Sequence, residues 1–249
     1  MTQAPIVVGV DRSGAARFAV RWAEDVARRH RAPLRRVHAG PVPVGPGVGV
    51  VDGAPLPVLL AEARSARMLV VGPTGEVPGM PGSLPARLAA YADCPVAIAR
   101  QGGDGPVVAG IDGGPLSDAV LDAAFDEAAS RGAPLVAVHA WSDAEIEGTP
   151  DRYLGWEPVA EAERRVLGEN LAAWQEKYAD VPLHRVAVRN RPRHLLLEWS
   201  TRAQLVVVGS RGRGGFPGMA LGSVAHALVQ HGHGPVLVIR PPAGGACPG

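Results

Sequence analysis

The sequence predicts an α/β protein made of two tandem doubly wound parallel-sheet domains, the first copy lacking its second helix. Three observations predict it. The chain repeats itself: IVVGVD at 6–11 recurs as VVAGID at 107–112, and APLRRVHA at 32–39 as APLVAVHA at 133–140. The repeated runs are short, β-branched and apolar throughout, as strands buried on both faces of a parallel sheet must be. Helical stretches alternate with them, and that alternation is the signature of an open, doubly wound sheet.

The elements follow in order. After strand 1 of the first copy, Ala16, Ala19, Val20, Ala23, Val26 and Ala27 form one apolar stripe. Arg17, Arg21, Glu24, Asp25 and Arg28 take the other face, so the segment is an amphipathic helix. Strand 2 is APLRRVHA. MLVVG at 68–72 then answers LVVVG at 205–209, and Gly53-Ala54-Pro55 answers Asn190-Arg191-Pro192. The offset between copies is 101 residues for the first pairs, 137 for these, and 140 for PVAIAR (95–100) against PVLVIR (235–240). The first copy therefore lacks 36 residues between Ala39 and Gly53, and three more between Gly75 and Gly82. The longer gap removes a helix, which in the second copy carries Leu167, Leu171, Trp174 and Tyr178 along one stripe. The division expected is a first domain over 1–102, a second over 103–241, and a disordered tail over 242–249. QGGDG (101–105) is a short polar linker between them.

Composition narrows the function classes. The 249 residues are 47% hydrophobic and 20% charged, with a net charge of +1. That is ample for a packed core and offers no basic excess for duplex nucleic acid or an anionic membrane. The five tryptophans (22, 141, 156, 174 and 199) are scattered and form no base-stacking platform. No apolar run approaches the roughly 20 residues of a membrane span, and the N-terminus lacks the basic and apolar regions of a secretory leader. Cys94 and Cys247 cannot build a disulfide framework, and Cys94 is expected as a small buried hydrophobe. The expected location is the cytoplasm.

In such sheets ligands bind beyond the carboxyl ends of the strands, where strand order reverses. Three second-copy segments end there: Asp112 after strand 1, Ala140 after strand 2, and a glycine-rich loop after strand 4. That loop contains Gly209, Arg211, Gly212, Arg213, Gly222 and Ser223, the last opening a helix that ends near His231. Glycines let backbone N–H groups approach an anion, and a helix N-terminus favours phosphate by about 0.3–1 kcal/mol per interaction. Asp112 is placed to accept hydrogen bonds from a ribose hydroxyl or an adenine amine. Other chemistries lack their residues. There is no P-loop, and strand 1 leads into Asp112-Gly-Gly-Pro rather than a dinucleotide fingerprint. His231 and His233 lack companion ligands at metal-binding spacing, and are expected in a solvated loop. His38 and His139 are expected to be packed or hydrogen-bonded near the ends of their strands, bordering the pockets.

The spacing Gly-x2-Gly-x9-Gly-Ser, with GID at 110–112 and VHA at 138–140, resembles the universal stress protein family over nearly the whole chain. The resemblance implies an adenine-nucleotide alpha hydrolase-like fold and an ATP or related adenine-nucleotide site, with Mg2+ as a companion. The matching positions are Asp112, Ala140 (backbone), Gly209, Gly212, Gly222 and Ser223. The first copy keeps Asp11, Ala39, Gly72, Gly75, Gly82 and Ser83. Its loop is three residues shorter and carries Glu76, Pro78 and Pro81 in place of arginines, so it is expected to be degenerate. The functional expectation is a nucleotide-binding stress-response or regulatory protein with one competent site. A slow nucleotide hydrolase or a pure dimerisation module are the alternatives. Family members commonly dimerise through the final strand, which implies that PVAIAR and PVLVIR pair inside one chain as a pseudo-dimer. A homodimer contact is also expected where the missing helix would leave apolar surface.

Overall fold

Ten strands join into one sheet, and its order shows how the repeat closes on itself. The computed structural model describes residues 3–73, 83–141, 157–189, 191–213 and 219–241. The first half contains β1 (Ile6–Gly9), α1 (Gly14–Arg29), β2 (Leu34–Ala39), β3 (Gly49–Val51), α2 (Pro55–Ala63), β4 (Met68–Val71), α3 (Leu84–Tyr91) and β5 (Val96–Ile98). The second contains β6 (Val107–Ile111), α4 (Ser117–Arg131), β7 (Leu135–Trp141), α5 (Glu157–Lys177), β8 (Leu183–Arg189), α6 (Pro192–Trp199), β9 (Leu205–Gly209), α7 (Ser223–His231) and β10 (Val236–Ile239). Strand order is β3-β2-β1-β4-β5-β10-β9-β6-β7-β8. Each half thus runs 3-2-1-4-5, and β2 passes to β3 with no helix between them. The calls that fall on the short first-copy loop (Gly75, Glu76, Pro78, Pro81, Gly82), on Trp156, and on Cys247 with the tail lie outside the described residues.

All neighbours within a half are parallel, and the two final strands pair antiparallel, Val236 opposite Ile98 and Val238 opposite Val96. Every residue of β4, β5 and β10 is buried. A strand covered on both faces has no polar side to alternate, so these segments read as continuous Val, Ile and Leu. One apolar cluster joins α1 and α4 to one face of the sheet, and a second joins α2, α3, α6 and α7 to the other. Both clusters run through both halves.

The α1 helix starts at Ser13, whose Oγ accepts the Ala16 N–H at 3.0 Å, and carries Arg28 and Arg29 in its last turn. Its buried stripe includes Trp22, which the periodicity of small residues did not single out. On α4, Phe125 is fully buried and stacks on Trp174 and Tyr178 of the α5 region at 6.4 and 5.2 Å. Such pairs contribute about 1 kcal/mol each beyond burial. In the first half, where this covering helix is missing, the position equivalent to Phe125 is Glu24, which pairs with Arg36 of β2. An ion pair thus stands where the second half has an aromatic, while Val50 of β3 stays 40% exposed on this edge.

The linker is not a flexible tether. A Cβ at Gly103 or Gly105 would collide with the Arg202 carbonyl, and Gln204 Nε2 donates to the Gly105 carbonyl at 2.7 Å. These glycines allow close backbone approach, so the 101–105 segment is docked along the 202–204 turn. Further contacts cross between the halves. Arg100 donates to the Leu228 and Val229 carbonyls at the end of α7, and Arg240 donates to Ala92 beyond α3 at 3.1 Å. The two arginines are equivalent in the repeat, so the clasp is reciprocal. Burial lowers Arg100 to about 10, which leaves it charged at neutral pH. Below α4, the buried Glu127 accepts from His30 Nε2 at 2.8 Å and from Arg131 Nη2 at 2.8 Å. Arg67 pairs with Asp126 beside them at 2.9 Å. Cys94 is buried, and burial pushes its thiol up to about 12, which suits a packing residue. Among the described residues no helix is long and apolar enough to cross a membrane.

Candidate functional site

Because β6, β7 and β9 are parallel, their carboxyl ends open on one edge of the sheet. The chain turns from β6 towards β7 and β8, then returns to the other side of β6 as β9, so strand order reverses between β6 and β9. A cavity of about 480 Å³ lies there. All six residues singled out from the sequence line it: Asp112, Ala140, Gly209, Gly212, Gly222 and Ser223.

Asp112 does more than face the cavity. Its Oδ1 accepts the Gly114 N–H at 2.9 Å, and its Oδ2 accepts the Arg213 N–H at 2.6 Å. The carboxylate therefore ties the turn after β6 to the glycine loop after β9. A carboxylate offers about four lone-pair positions, so two accepted bonds leave room for a ligand hydroxyl or amine. This coupling explains Gly212, where a Cβ would collide with Asp112 Oδ2. Gly222 has an ordinary φ of −69° and N-caps α7. Neither a left-handed backbone nor a clash of a Cβ demands glycine at this position. A Cβ there would stand 3.4 Å from the Ser210 oxygen and Arg211 Cα, and its own N–H donates to the Ser210 oxygen at 2.7 Å. The N–H groups left over for an anion are those of the first turn of α7. Ser223, Val224 and Ala225 have no carbonyl four residues back within the helix, and all three line the cavity.

Histidine chemistry is secondary. His139 Nδ1 lies 3.0 Å from the Ile111 carbonyl, and His38 Nδ1 lies 2.7 Å from the Val10 carbonyl in the equivalent place. A ring nitrogen facing a carbonyl oxygen carries the proton, so both rings are set as strand-end braces. His231 is the exposed last residue of α7, not part of a loop, while His233 is exposed just beyond the helix and its N–H donates to Ser200 Oγ at 3.0 Å.

Three lining residues escaped the sequence reading. Ser117 Oγ is buried with no hydrogen-bond partner in the cavity wall, and Arg191 and Arg193 enter at the start of α6. Arg211 and Arg213 join them, so four arginines and one aspartate are among the described lining residues. The signal was available in the repeat: Ser117, Arg191 and Arg193 answer Ala16, Ala54 and Leu56 of the first half.

The equivalent place in the first half is smaller, about 80 Å³, and is lined by Asp11, Ala39 and Gly72 among others. Asp11 repeats the Asp112 turn, accepting the Ser13 N–H at 2.8 Å. Its helix end is different. Ser83 is the N-cap of α3, its Oγ accepting the Ala86 N–H at 3.4 Å and the Gln230 Nε2–H at 3.1 Å. Pro85 stands where the second half has Ala225, which removes one first-turn N–H.

This arrangement has counterparts in known proteins. Residues 105–240 match the sequence profile of the Universal stress protein family. A universal stress protein of Mycobacterium tuberculosis is 37% identical over 286 aligned positions, covering 94% of this chain and 96% of that protein. One of Mycobacterium bovis is 42% identical over 201 positions, covering 77% and 68%. Among solved structures, a universal stress protein of Archaeoglobus fulgidus superposes with a TM-score of 0.62 at 14% identity, covering 97% and 98% of the two chains. A functionally unknown protein of Pseudomonas aeruginosa gives 0.66 at 18% identity, covering 96% and 93%. The two structural likenesses agree on the fold across the full length. With the profile match and the sequence identity, they establish that this chain belongs to the universal stress protein family.

Proposed function

We propose that the protein binds ATP or a related adenine nucleotide at one competent site, in the second of two domains dividing near 102/103, and acts as a cytoplasmic stress-response or regulatory protein. The observation that carries this reading is the cavity at the β6/β9 reversal, where a glycine loop, a helix start and arginines converge. The 5′ phosphates lie against Gly209, Gly212, Gly222 and Ser223, taking N–H groups from the first turn of α7 and charge from Arg211 and Arg213. The ribose lies by Asp112 and the adenine against the Ala140 backbone. The absence of a side chain at Gly212 and Gly222, and the unpartnered Ser117 Oγ, fit such a guest. Any Mg2+ comes in on the phosphates. Among the described lining residues Asp112 is the one carboxylate, and both its oxygens already accept backbone N–H groups.

Asymmetry supports a single site. The first half offers a sixfold smaller cavity, a helix start blocked by Pro85 and Gln230, and no arginine among its described lining residues. As a sensor, the protein would act through the different affinities of two conformations, or two partners, for the nucleotide. The reading is tested by denaturing freshly purified protein and identifying the released small molecules by mass spectrometry. Adenine nucleotide near one equivalent is expected. Protein that releases none, and binds none when it is added, would refute the reading.

A further inference from the structure

Arg100 and Arg240 occupy equivalent places, each just beyond the final strand of its half, yet both end on elements of the second half's site. Arg240 forks. Its Nε donates to the Ala92 carbonyl at the end of α3, and its Nη1 donates to Ser210 Oγ at 3.4 Å. Arg100 donates to the Leu228 and Val229 carbonyls in the last turn of α7, the helix whose first turn faces the cavity. Pro73 explains the difference. It stands where the second half has Ser210, and it offers neither a hydroxyl nor an N–H to hold.

Ser210 is the point at which the glycine loop leaves β9. It is completely buried, and neither it nor Arg240 is among the described residues lining the cavity. Its N–H donates to the Ile239 carbonyl at 2.8 Å, and its carbonyl accepts the Gly222 N–H at 2.7 Å. One residue thus joins the end of β9, the end of β10 and the N-cap of α7. A glycine-rich segment has more backbone freedom to lose than any other, so a loop fixed before binding spares its ligand that cost. The Ser210 backbone fixes the loop from within the second half, and the Ser210 hydroxyl is where an anchor on the first half reaches it. Burial lowers the Arg240 guanidinium below its ordinary value, and the charge of Arg211 lowers it further. An anion on the loop would offset that crowding of like charge.

We propose that Arg240 is a positioning residue for the phosphate end of the site: anchored on Ala92 of the first half, it holds Ser210, and through Ser210 the glycine loop and the start of α7. The first half thereby serves the second as a scaffold. The proposal rests on the nucleotide reading above and adds to it a residue that acts on the shape of the loop without touching the ligand. Lysine is no equivalent here, because its ammonium is a point charge on a flexible stem, whereas the planar guanidinium spans two acceptors in fixed geometry.

The test titrates ATP by calorimetry, and adenosine by competition, into the full chain, Arg240→Lys, Ser210→Ala and the double variant, with the urea midpoint of each measured alongside. Ser210→Ala removes one buried oxygen and leaves every backbone bond in place, so it carries the test should Arg240→Lys fail to fold. ATP should weaken about tenfold in either single variant and no further in the double, because both break the same link. Adenosine lacks the phosphates that the loop holds, and its affinity should stay within about twofold throughout. A general loss of packing would not produce that split. Full ATP affinity in Ser210→Ala, losses that add in the double variant, or an adenosine loss matching that for ATP would overturn the proposal and leave the nucleotide reading in place. If ATP does not bind the natural chain at all, that reading fails and the proposal with it.

Discussion

Asp112 Oδ2 accepts the Arg213 N–H at 2.6 Å, joining two points 101 residues apart in sequence. The bond holds the glycine loop against the turn after β6, and Oδ1 holds that turn itself through Gly114. Hydrogen bonds to a charged acceptor contribute about 1.5–3 kcal/mol when protected, and less at a half-exposed site such as this. Replacing Asp112 with Ala should lower stability by about 1 kcal/mol in urea titrations and weaken ATP binding by more than that loss explains. Unchanged affinity would mean that the loop is held without it.

Gly222 gives a sharper test of the loop's packing. The Gly222→Val variant places branched carbons against the Ser210–Gly212 backbone, with ordinary φ retained, so the expected damage is displacement of the loop and not backbone strain. ATP affinity by calorimetry should fall at least about tenfold while the melting transition stays cooperative. Retained affinity would remove the loop from the site.

Much of this architecture was legible in the residues alone, because the repeat carries it. Matched segments at offsets of 101, 137 and 140 reveal the missing helix, and IVVGVD and its partners are buried strands in any reading. The loop glycines were legible as a set, but their reasons were not. Gly212 is small because Asp112 approaches it, a contact across 100 residues that no local pattern contains. Arg191 and Arg193 look like an ordinary solvated helix end until the cavity is seen behind them. Pro85 lay in plain view, two residues after Ser83, and its missing N–H is evident once Ala225 stands beside it. The Glu127 cluster was hidden for a different reason: His30 and Glu127 lie 97 residues apart, and only the packing of one half on the other joins them.

That cluster sets an acid limit on the assembly. Burial pushes the Glu127 carboxyl up, but His30 and Arg131 outweigh it and hold the group below its ordinary value. A carboxyl whose value is lower folded than unfolded contributes in full above its unfolded value, near 4.3, and loses that contribution as pH falls through the folded value. Urea midpoints should therefore be steady from neutral pH to about 5 and fall below it. Glu127→Gln should cost about 3 kcal/mol at pH 7, and much less at pH 3. A cost independent of pH would contradict this account of the pair.

The central strand pair joins the sheets of the two halves, and unfolding is expected to couple through it. Val96 and Val238 face each other in the β5–β10 ladder, both fully buried. Asp at Val96 or Pro at Val236 should split unfolding into two transitions or abolish folding, since each buries an unpaired charge or removes a ladder N–H. A single transition at unchanged denaturant concentration would show that the final strands do not couple the halves.

The measurement that bears most directly on the central claim is the stoichiometry of ATP binding to the full chain, by calorimetry on protein first stripped of nucleotide. The account predicts saturation near one equivalent, abolished by Gly222→Val. Saturation near two equivalents, or one equivalent that survives that substitution, would contradict it.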